Sequence, residues 1–303
     1  MGTAVVFPGQ GTQSPGMAAS WRRHPAWAVV EEASDSLGED LGHLITDAPA
    51  DALARTREAQ LAVLLTSLVV WATSEPLPEP PVAFAGHSLG QVTALIAAGV
   101  LGVGDGVQFA ARRAELTQAA ADAHPGRMAA LLGATPEQAE EACRATGACW
   151  VANDNAPGQV VIAGSPDGLA AASARAQELG VRRVTPLSVG GAFHTPLMND
   201  ATRDLAAVVA GMTFSDPFAP IVSNHDARAY DDGDGWRERL PTHVSVPVRW
   251  RATMETLVGL GATTFLEVGH GSMLAALAKR GAPGVHVVGV ATPDDLPLSL
   301  PVG

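Results

Sequence analysis

Val82-Ala83-Phe84-Ala85-Gly86-His87-Ser88-Leu89-Gly90-Gln91-Val92 passes from an apolar run, through a serine between two glycines, into a segment that stays largely apolar to Val100. Residues 82–85 read as a short strand buried on both faces, Gly86 breaks it, and Gln91 to Val100 reads as a helix. Strand, G-x-S-x-G turn and helix form the unit that an open parallel α/β sheet uses to present a site at its strand ends. The glycines permit a strained turn that lifts the Ser88 hydroxyl to a helix N-terminus, where the helix dipole favours developing negative charge. A glycine-rich turn with a capping serine is the plainer reading; the strand-to-helix context favours a nucleophile.

Upstream, Thr3 to Phe7 repeats the design, ending in Pro8-Gly9-Gln10-Gly11. Between the two strands, Glu58 to Trp71 sets Leu61, Leu64, Leu65, Leu68 and Val69 at helical spacing, and a second helix follows the serine from about Asp105 to Ala121. The middle changes character. From Met128 the order is strand (Met128 to Leu132), helix (Pro136 to Thr146), strand (Cys149 to Asn153), strand (Gln159 to Ala163), helix (Asp167 to Leu179), strand (Arg182 to Leu187). That order is βαββαβ, a ferredoxin-like unit. The α/β pattern then resumes, with helices near Leu197 to Gly211 and Arg251 to Val258 and strands at Pro220 to Ser223, Thr264 to Val268 and Gly284 to Val290. The expected architecture is a large, discontinuous α/β-hydrolase-like domain with a parallel sheet (residues 1–126 and 192–303) and an inserted ferredoxin-like subdomain (127–191). The proline-containing tail from Pro293 to Gly303 has no periodicity and is expected to be loose.

At 303 residues the chain exceeds the usual single domain, and 47% hydrophobic residues exclude a disordered polyampholyte. The longest apolar run, Leu61 to Ala72, carries Thr66 and Ser67 and falls short of the roughly 20 residues a bilayer requires, so no membrane is expected. Met1 to Gly11 shows no export signal. Cys143 and Cys149 are too few for a disulfide framework and lack a metal-ligand pattern. The expected compartment is the cytoplasm, with no metal. Nineteen basic against thirty-one acidic residues give a net charge of −12, the wrong sign for nucleic acid. Lys279 is the sole lysine, leaving the positive charge to arginine, the side chain suited to bidentate recognition of carboxylate or phosphate.

A serine nucleophile needs a base. Among nine histidines, His194 stands out in Gly190-Gly191-Ala192-Phe193-His194-Thr195-Pro196, after the last strand of the inserted unit, where the chain can face a cleft between the two parts. The rival is a true α/β-hydrolase, an esterase or thioesterase, whose residues run Ser, Asp or Glu, His; Asp231 to Asp234 with His270 or His286 would then serve. The inserted unit and Arg113 have no place in that reading. A non-catalytic carrier-docking subunit leaves the Ser88 and His194 pair unexplained. A dinucleotide loop at Gly9-Gln10-Gly11 fails because Ser14 replaces the third glycine.

Phe7-Pro8-Gly9-Gln10-Gly11, Gly86-His87-Ser88-Leu89-Gly90, Arg113, Asn155 with Pro157-Gly158-Gln159-Val160-Val161-Ile162-Ala163-Gly164, Gly191-Ala192-Phe193-His194, Pro247-Val248-Arg249-Trp250 and Glu267-Val268-Gly269 occur in this order. The set resembles the malonyl-CoA:acyl-carrier-protein transacylases of fatty-acid and polyketide synthesis, over about residues 3 to 290. The resemblance implies a ping-pong acyltransferase in which Ser88, deprotonated by His194, takes the malonyl group from malonyl-CoA and passes it to the phosphopantetheine thiol of an acyl carrier protein. No cofactor is bound: coenzyme A enters as the thioester, and phosphopantetheine arrives on the partner. The resemblance assigns the oxyanion hole to the backbone N–H groups of Gln10 and Leu89, carboxylate recognition to Arg113, and selection against a 2-methyl branch to Phe193. A transacylase using another acyl-CoA is the alternative within that chemistry. The histidine would be oriented by a main-chain carbonyl near the Glu267-Val268-Gly269 turn. Two positions depart from the pattern: Gln91 replaces a glutamate, and His270 replaces a proline beside that turn.

Overall fold

β1 (Gly2–Phe7) and β2 (Ala83–Gly86) run parallel with Val5 opposite Phe84 and Phe7 opposite Gly86, so the loops that leave them emerge together at one end of the sheet. The structure, a computed structural model, describes residues 2–297 other than 75, 76 and 78. Between the two strands come α1 (Ala28–Leu37), α2 (Leu41–Thr46) and α3 (Thr56–Ser74); after them come α4 (Gly90–Ala97) and α5 (Val103–Ala123). The next segment holds β3 (Arg127–Leu132), α6 (Pro136–Arg144), β4 (Cys149–Ala156), β5 (Gln159–Gly164), α7 (Pro166–Glu178) and β6 (Arg183–Pro186). The chain continues with α8 (Asn199–Val209), β7 (Ile221–Val222), β8 (Ala229–Tyr230), α9 (Gly233–Arg239), α10 (Trp250–Gly259), β9 (Ala262–Val268), α11 (Met273–Gly281) and β10 (His286–Val290).

The large sheet has the order β10-β9-β1-β2-β7-β8, parallel except for β8. Its central strands β1 and β2 are mostly apolar because both faces are covered. Val5, Phe7, Phe84 and Leu266 join the core shared with α1, α3, α4, α5 and α8, while Ala4, Val6, Ala85 and Phe265 face Trp250, Met254 and Leu277 of α10 and α11. Helix α3 is buried almost all round, beyond the single apolar stripe its leucine spacing suggests. Among the described residues no helix is long and apolar enough to cross a membrane.

The second sheet is antiparallel with the order β4-β5-β3-β6. Ala129, Leu131, Val160 and Ile162 face α6 and α7; Met128, Ala130, Val161 and Ala163 face the other way. Strand β4 fastens this sheet to the rest of the chain. Val248 N–H donates to the Ala152 carbonyl and Asp154 N–H to the Val248 carbonyl, both at 2.9 Å, and Arg251 pairs with Asp154 at 2.7 Å. The tail departs from expectation: Pro293–Asp295 form a 3-10 turn in which Asp295 accepts from Ala291 and Thr292 N–H, and Trp21 Nε1 donates to the Ala291 carbonyl. Residues 298–303 of that expected loose tail lie outside the described residues.

Candidate active site

Ser88 occupies the turn from β2 to α4 at φ +52°, and His194 follows β6 at φ +62°; among the described non-glycine residues only Ala227 shares this left-handed region. Such conformations cost about 1–3 kcal/mol each and persist where surroundings enforce them. At the serine turn a Cβ on Gly86 would lie 1.8 Å from the Gly90 carbonyl oxygen, and one on Gly90 would lie 2.3 Å from that of Phe7. Close backbone approach therefore demands both glycines of the G-x-S-x-G pattern.

Asn224, in the loop after β7, clamps that turn. Its Oδ1 accepts the Ser88 N–H at 2.7 Å, and its Nδ2 donates to the Gly86 carbonyl at 2.6 Å and to Gln91 Oε1 at 3.1 Å. Gln91 is the residue that departs from the family pattern, and its Oε1 also accepts from Asn224 N–H at 3.1 Å. The Ser88 amide is thus spent. Among the described residues the amides of Gln10 and Leu89 donate to no protein acceptor, and both residues line the cleft beside Ser88.

His194 Nε2 lies 2.7 Å from Ser88 Oγ. Its Nδ1 sits against two carbonyls, His243 at 2.9 Å and Val246 at 3.1 Å, so Nδ1 carries the proton and Nε2 presents a lone pair to the hydroxyl. Burial first, then the charges of Arg113 and His87, pull its pKa down to about 3. The imidazole is neutral and able to accept a proton.

This support differs from the expected one. The carbonyls come from the end of a 3-10 segment, Leu240–Val244, and the residues just past it; the Glu267-Val268-Gly269 turn does not supply them. Glu267 instead caps α11, accepting Leu274 N–H at 2.9 Å and Ala275 N–H at 2.8 Å, and burial pushes its carboxyl upward. His270 is bonded to Ser14 Oγ at 2.8 Å and stays out of the Ser88 cleft. The hydrolase alternative also fails on placement. Asp232 caps α9, Asp234 is exposed, His286 is exposed on β10, and none of them lines the cleft.

Arg113, on α5, is 6% exposed, with Nη1 donating to Gln60 Oε1 at 2.6 Å and Nη2 to Ser88 Oγ at 3.2 Å. No carboxylate offsets its charge among the described residues, and burial alone lowers its pKa to about 10. One helical step away, Arg112 is exposed and pairs with Glu115. Gln60 was not foreseen as part of the site; its signal was a lone amide within an apolar helix, Ala59-Gln60-Leu61-Ala62-Val63. Its Nε2 reaches Gln10 Oε1 at 3.4 Å, tying the arginine to the first loop.

These groups share a cleft of about 480 Å³. Gln10, Ser88 and Leu89 line it together with Met128, Ala130 and Val161 of the antiparallel sheet, and with Phe193 next to His194. His87 braces the two parts, its Nε2 lying 2.8 Å from Asn155 Oδ1 on β4 and its ring edge-on to Trp250.

Residues 4–294 match the acyl transferase domain family. The malonyl CoA-acyl carrier protein transacylase of Salmonella typhimurium is 36% identical over 91% of this chain and 92% of its own length. Two solved structures share the fold. An acyl carrier protein S-malonyltransferase from Vibrio cholerae superposes with TM-score 0.94 at 34% identity, over 98% of this chain and 99% of that one. A malonyl-transacylase in complex with its type II PKS acyl-carrier protein superposes with TM-score 0.93 at 33% identity, over 97% of each chain. With this agreement over nearly its whole length, the chain belongs to the acyl transferase domain family, alongside the malonyl CoA-acyl carrier protein transacylases.

Proposed function

We propose that the chain moves a malonyl group from malonyl-CoA to the phosphopantetheine thiol of an acyl carrier protein through an ester on Ser88, in a cytoplasmic reaction that needs no metal, bound cofactor, membrane or nucleic acid. The observation that carries this reading is Arg113, a buried cation 3.2 Å from the Ser88 oxygen with no carboxylate paired to it among the described residues. An unpaired buried charge is costly, and a carboxylate on the acyl group would offset it with two parallel hydrogen bonds.

His194 Nε2 takes the Ser88 proton as Oγ attacks the thioester carbonyl. The oxyanion is held by the Gln10 and Leu89 amides. Collapse expels the CoA thiolate, which takes the proton from His194. In the second half the carrier thiol gives its proton to His194 and attacks the serine ester, and Ser88 leaves as the hydroxyl when His194 returns that proton. The two carbonyls on Nδ1 stabilise each imidazolium in place of a carboxylate. Phe193 narrows the cleft next to the acyl group and disfavours a 2-methyl branch.

The fold fits this division of labour. The parallel sheet and its helices, residues 1–126 and 192–303, form an α/β-hydrolase-like domain carrying Ser88, His194, Arg113 and the hole; residues 127–191, with the ferredoxin-like strand order, line the same cleft. The direct test is intact-protein mass spectrometry after incubation with malonyl-CoA and a panel of other acyl-CoAs. A malonyl adduct is expected on the wild type and none on Ser88→Ala; an undiminished adduct on the variant rejects Ser88, and preferred loading of a neutral acyl group rejects malonyl as the substrate.

A further inference from the structure

A second cleft of about 580 Å³ meets the one that holds Ser88 at His194, which lines both. It is lined by His194 together with Cys143, Cys149, Trp150, Pro196 and Ser245. The chain's two cysteines thus meet in one place: Cys143 in the last turn of α6 and Cys149 at the start of β4, with sulfurs 3.7 Å apart and both thiols free. A disulfide needs sulfurs about 2.05 Å apart, so a small shift of the segment joining α6 to β4 would bring them to bonding distance. Both thiols are buried, but the cleft gives a small oxidant a way to reach them.

We propose that Cys143 and Cys149 form a redox-active dithiol that closes to an intramolecular disulfide under hydrogen peroxide, and that closure slows acyl transfer by disturbing the support of His194. The order of events follows from the bond between the two sulfurs. Cys143 S–H donates to Cys149, which lowers the Cys149 pKa and raises that of Cys143. Cys149 therefore attacks peroxide as the thiolate, forming a sulfenic acid and releasing hydroxide, which leaves as water with the Cys149 proton. Cys143 then attacks the sulfenic sulfur, expelling a second hydroxide that takes the Cys143 proton. Two thiols and one peroxide give one disulfide and two waters.

The link to the site is short. Closure pulls on the first residue of β4; the same strand bonds Val248 from both sides through Ala152 and Asp154, and Val246, two residues earlier, supplies a carbonyl to His194 Nδ1. The dithiol stands on its own geometry, whereas the effect on rate rests on His194 acting as the base.

The test treats the full chain with hydrogen peroxide, blocks remaining thiols by alkylation, and reads intact mass, peptide map and malonyl-transfer rate. The expected result is loss of two hydrogens, no alkylatable thiol, a linked Cys143–Cys149 peptide, and a rate lowered by about tenfold or more that dithiothreitol restores. Two alkylatable thiols, a sulfinic acid on one cysteine, or a covalent dimer would overturn the dithiol. A bridge with an unchanged rate would overturn the link to His194. The single variants check the order: a sulfenic-acid trap should label Cys143→Ser much faster than Cys149→Ser, and equal labelling would reject Cys149 as the attacking sulfur.

Discussion

Asn224 accepts the Ser88 backbone N–H at 2.7 Å and donates to the Gly86 carbonyl at 2.6 Å, so one side chain fixes both sides of the left-handed turn that carries the hydroxyl. It also decides which amides stay free for an oxyanion, because the Ser88 N–H is no longer among them. Losing such buried bonds costs about 1–3 kcal/mol. Asn224→Ala should therefore lower the acylation rate by about tenfold or more, since 1.4 kcal/mol is a factor of ten, while KM for malonyl-CoA changes little. Rapid-quench measurement of the acyl-enzyme separates the two, and a change confined to KM would place Asn224 in substrate binding.

His194→Ala should reduce transfer by about a hundredfold or more, the usual worth of a positioned general base. His270→Ala should be mild, because His270 faces Ser14 away from the cleft. Steady-state rates for the two variants decide between them: a crippled His270 variant with a mild His194 variant would return the assignment to the rival order of residues.

Burial of neutral imidazoles sets an acid limit on stability. The pKa values of His194 and His243 fall to about 3, and that of His87 is also lowered, all chiefly by desolvation. Below the unfolded value near 6.5 the unfolded chain binds protons that the folded chain refuses, so stability is full above that pH and falls as pH drops through the window. His194 and His243 each contribute a slope of about 1.4 kcal/mol per pH unit there. Denaturation with urea at pH 7.5 and pH 5 should show the loss, and His194→Ala should lose about 2 kcal/mol less than the wild type. Identical pH dependence in the two proteins would mean that His194 is protonated in the folded state.

The sequence already carried the order of the β3 to β6 segment, because β3 and β5 are short apolar runs that follow Gly126 and Gly158, and Thr135 and Ser165 cap the two helices. Strand β4 runs on to Ala156, past the expected end at Asn153, through polar residues that carry no apolar signal. It did not carry α1 and α2, whose residues mix charge and apolar character over short spans, or α11, whose start is fixed by the buried carboxylate of Glu267. The serine turn was legible from local glycines. Its clamp was not: Asn224 reaches it from 136 residues away. The support of His194 was expected at the wrong turn for a different reason, since a backbone carbonyl has no side-chain signature. Arg113 was singled out through family resemblance, and its place against Ser88 depends on Gln60, which the pattern of apolar spacing passes over.

Arg113 is held in a way that favours function over stability. Its guanidinium is buried, bonded to one neutral amide and one hydroxyl, and no carboxylate compensates it among the described residues. Replacing a buried charge by an apolar side chain of similar length often stabilises a protein by about 1–4 kcal/mol, so Arg113→Met should melt higher than the wild type. Free malonate should narrow that difference. It stabilises the wild type by about 2.7 kcal/mol when present at a hundred times its Kd, and leaves Arg113→Met unmoved. The same logic governs substrate choice, because discrimination is a difference of two binding free energies. Arg113→Ala should lose malonyl transfer steeply while acetyl transfer holds or rises, a change of about 3 kcal/mol or a hundredfold in the ratio. Arg112→Ala, altering an exposed arginine paired with Glu115, is the control and should leave the ratio where it is. Equal losses with both acyl groups in Arg113→Ala, or malonate that stabilises Arg113→Met as well as the wild type, would show that the carboxylate is recognised elsewhere in the cleft.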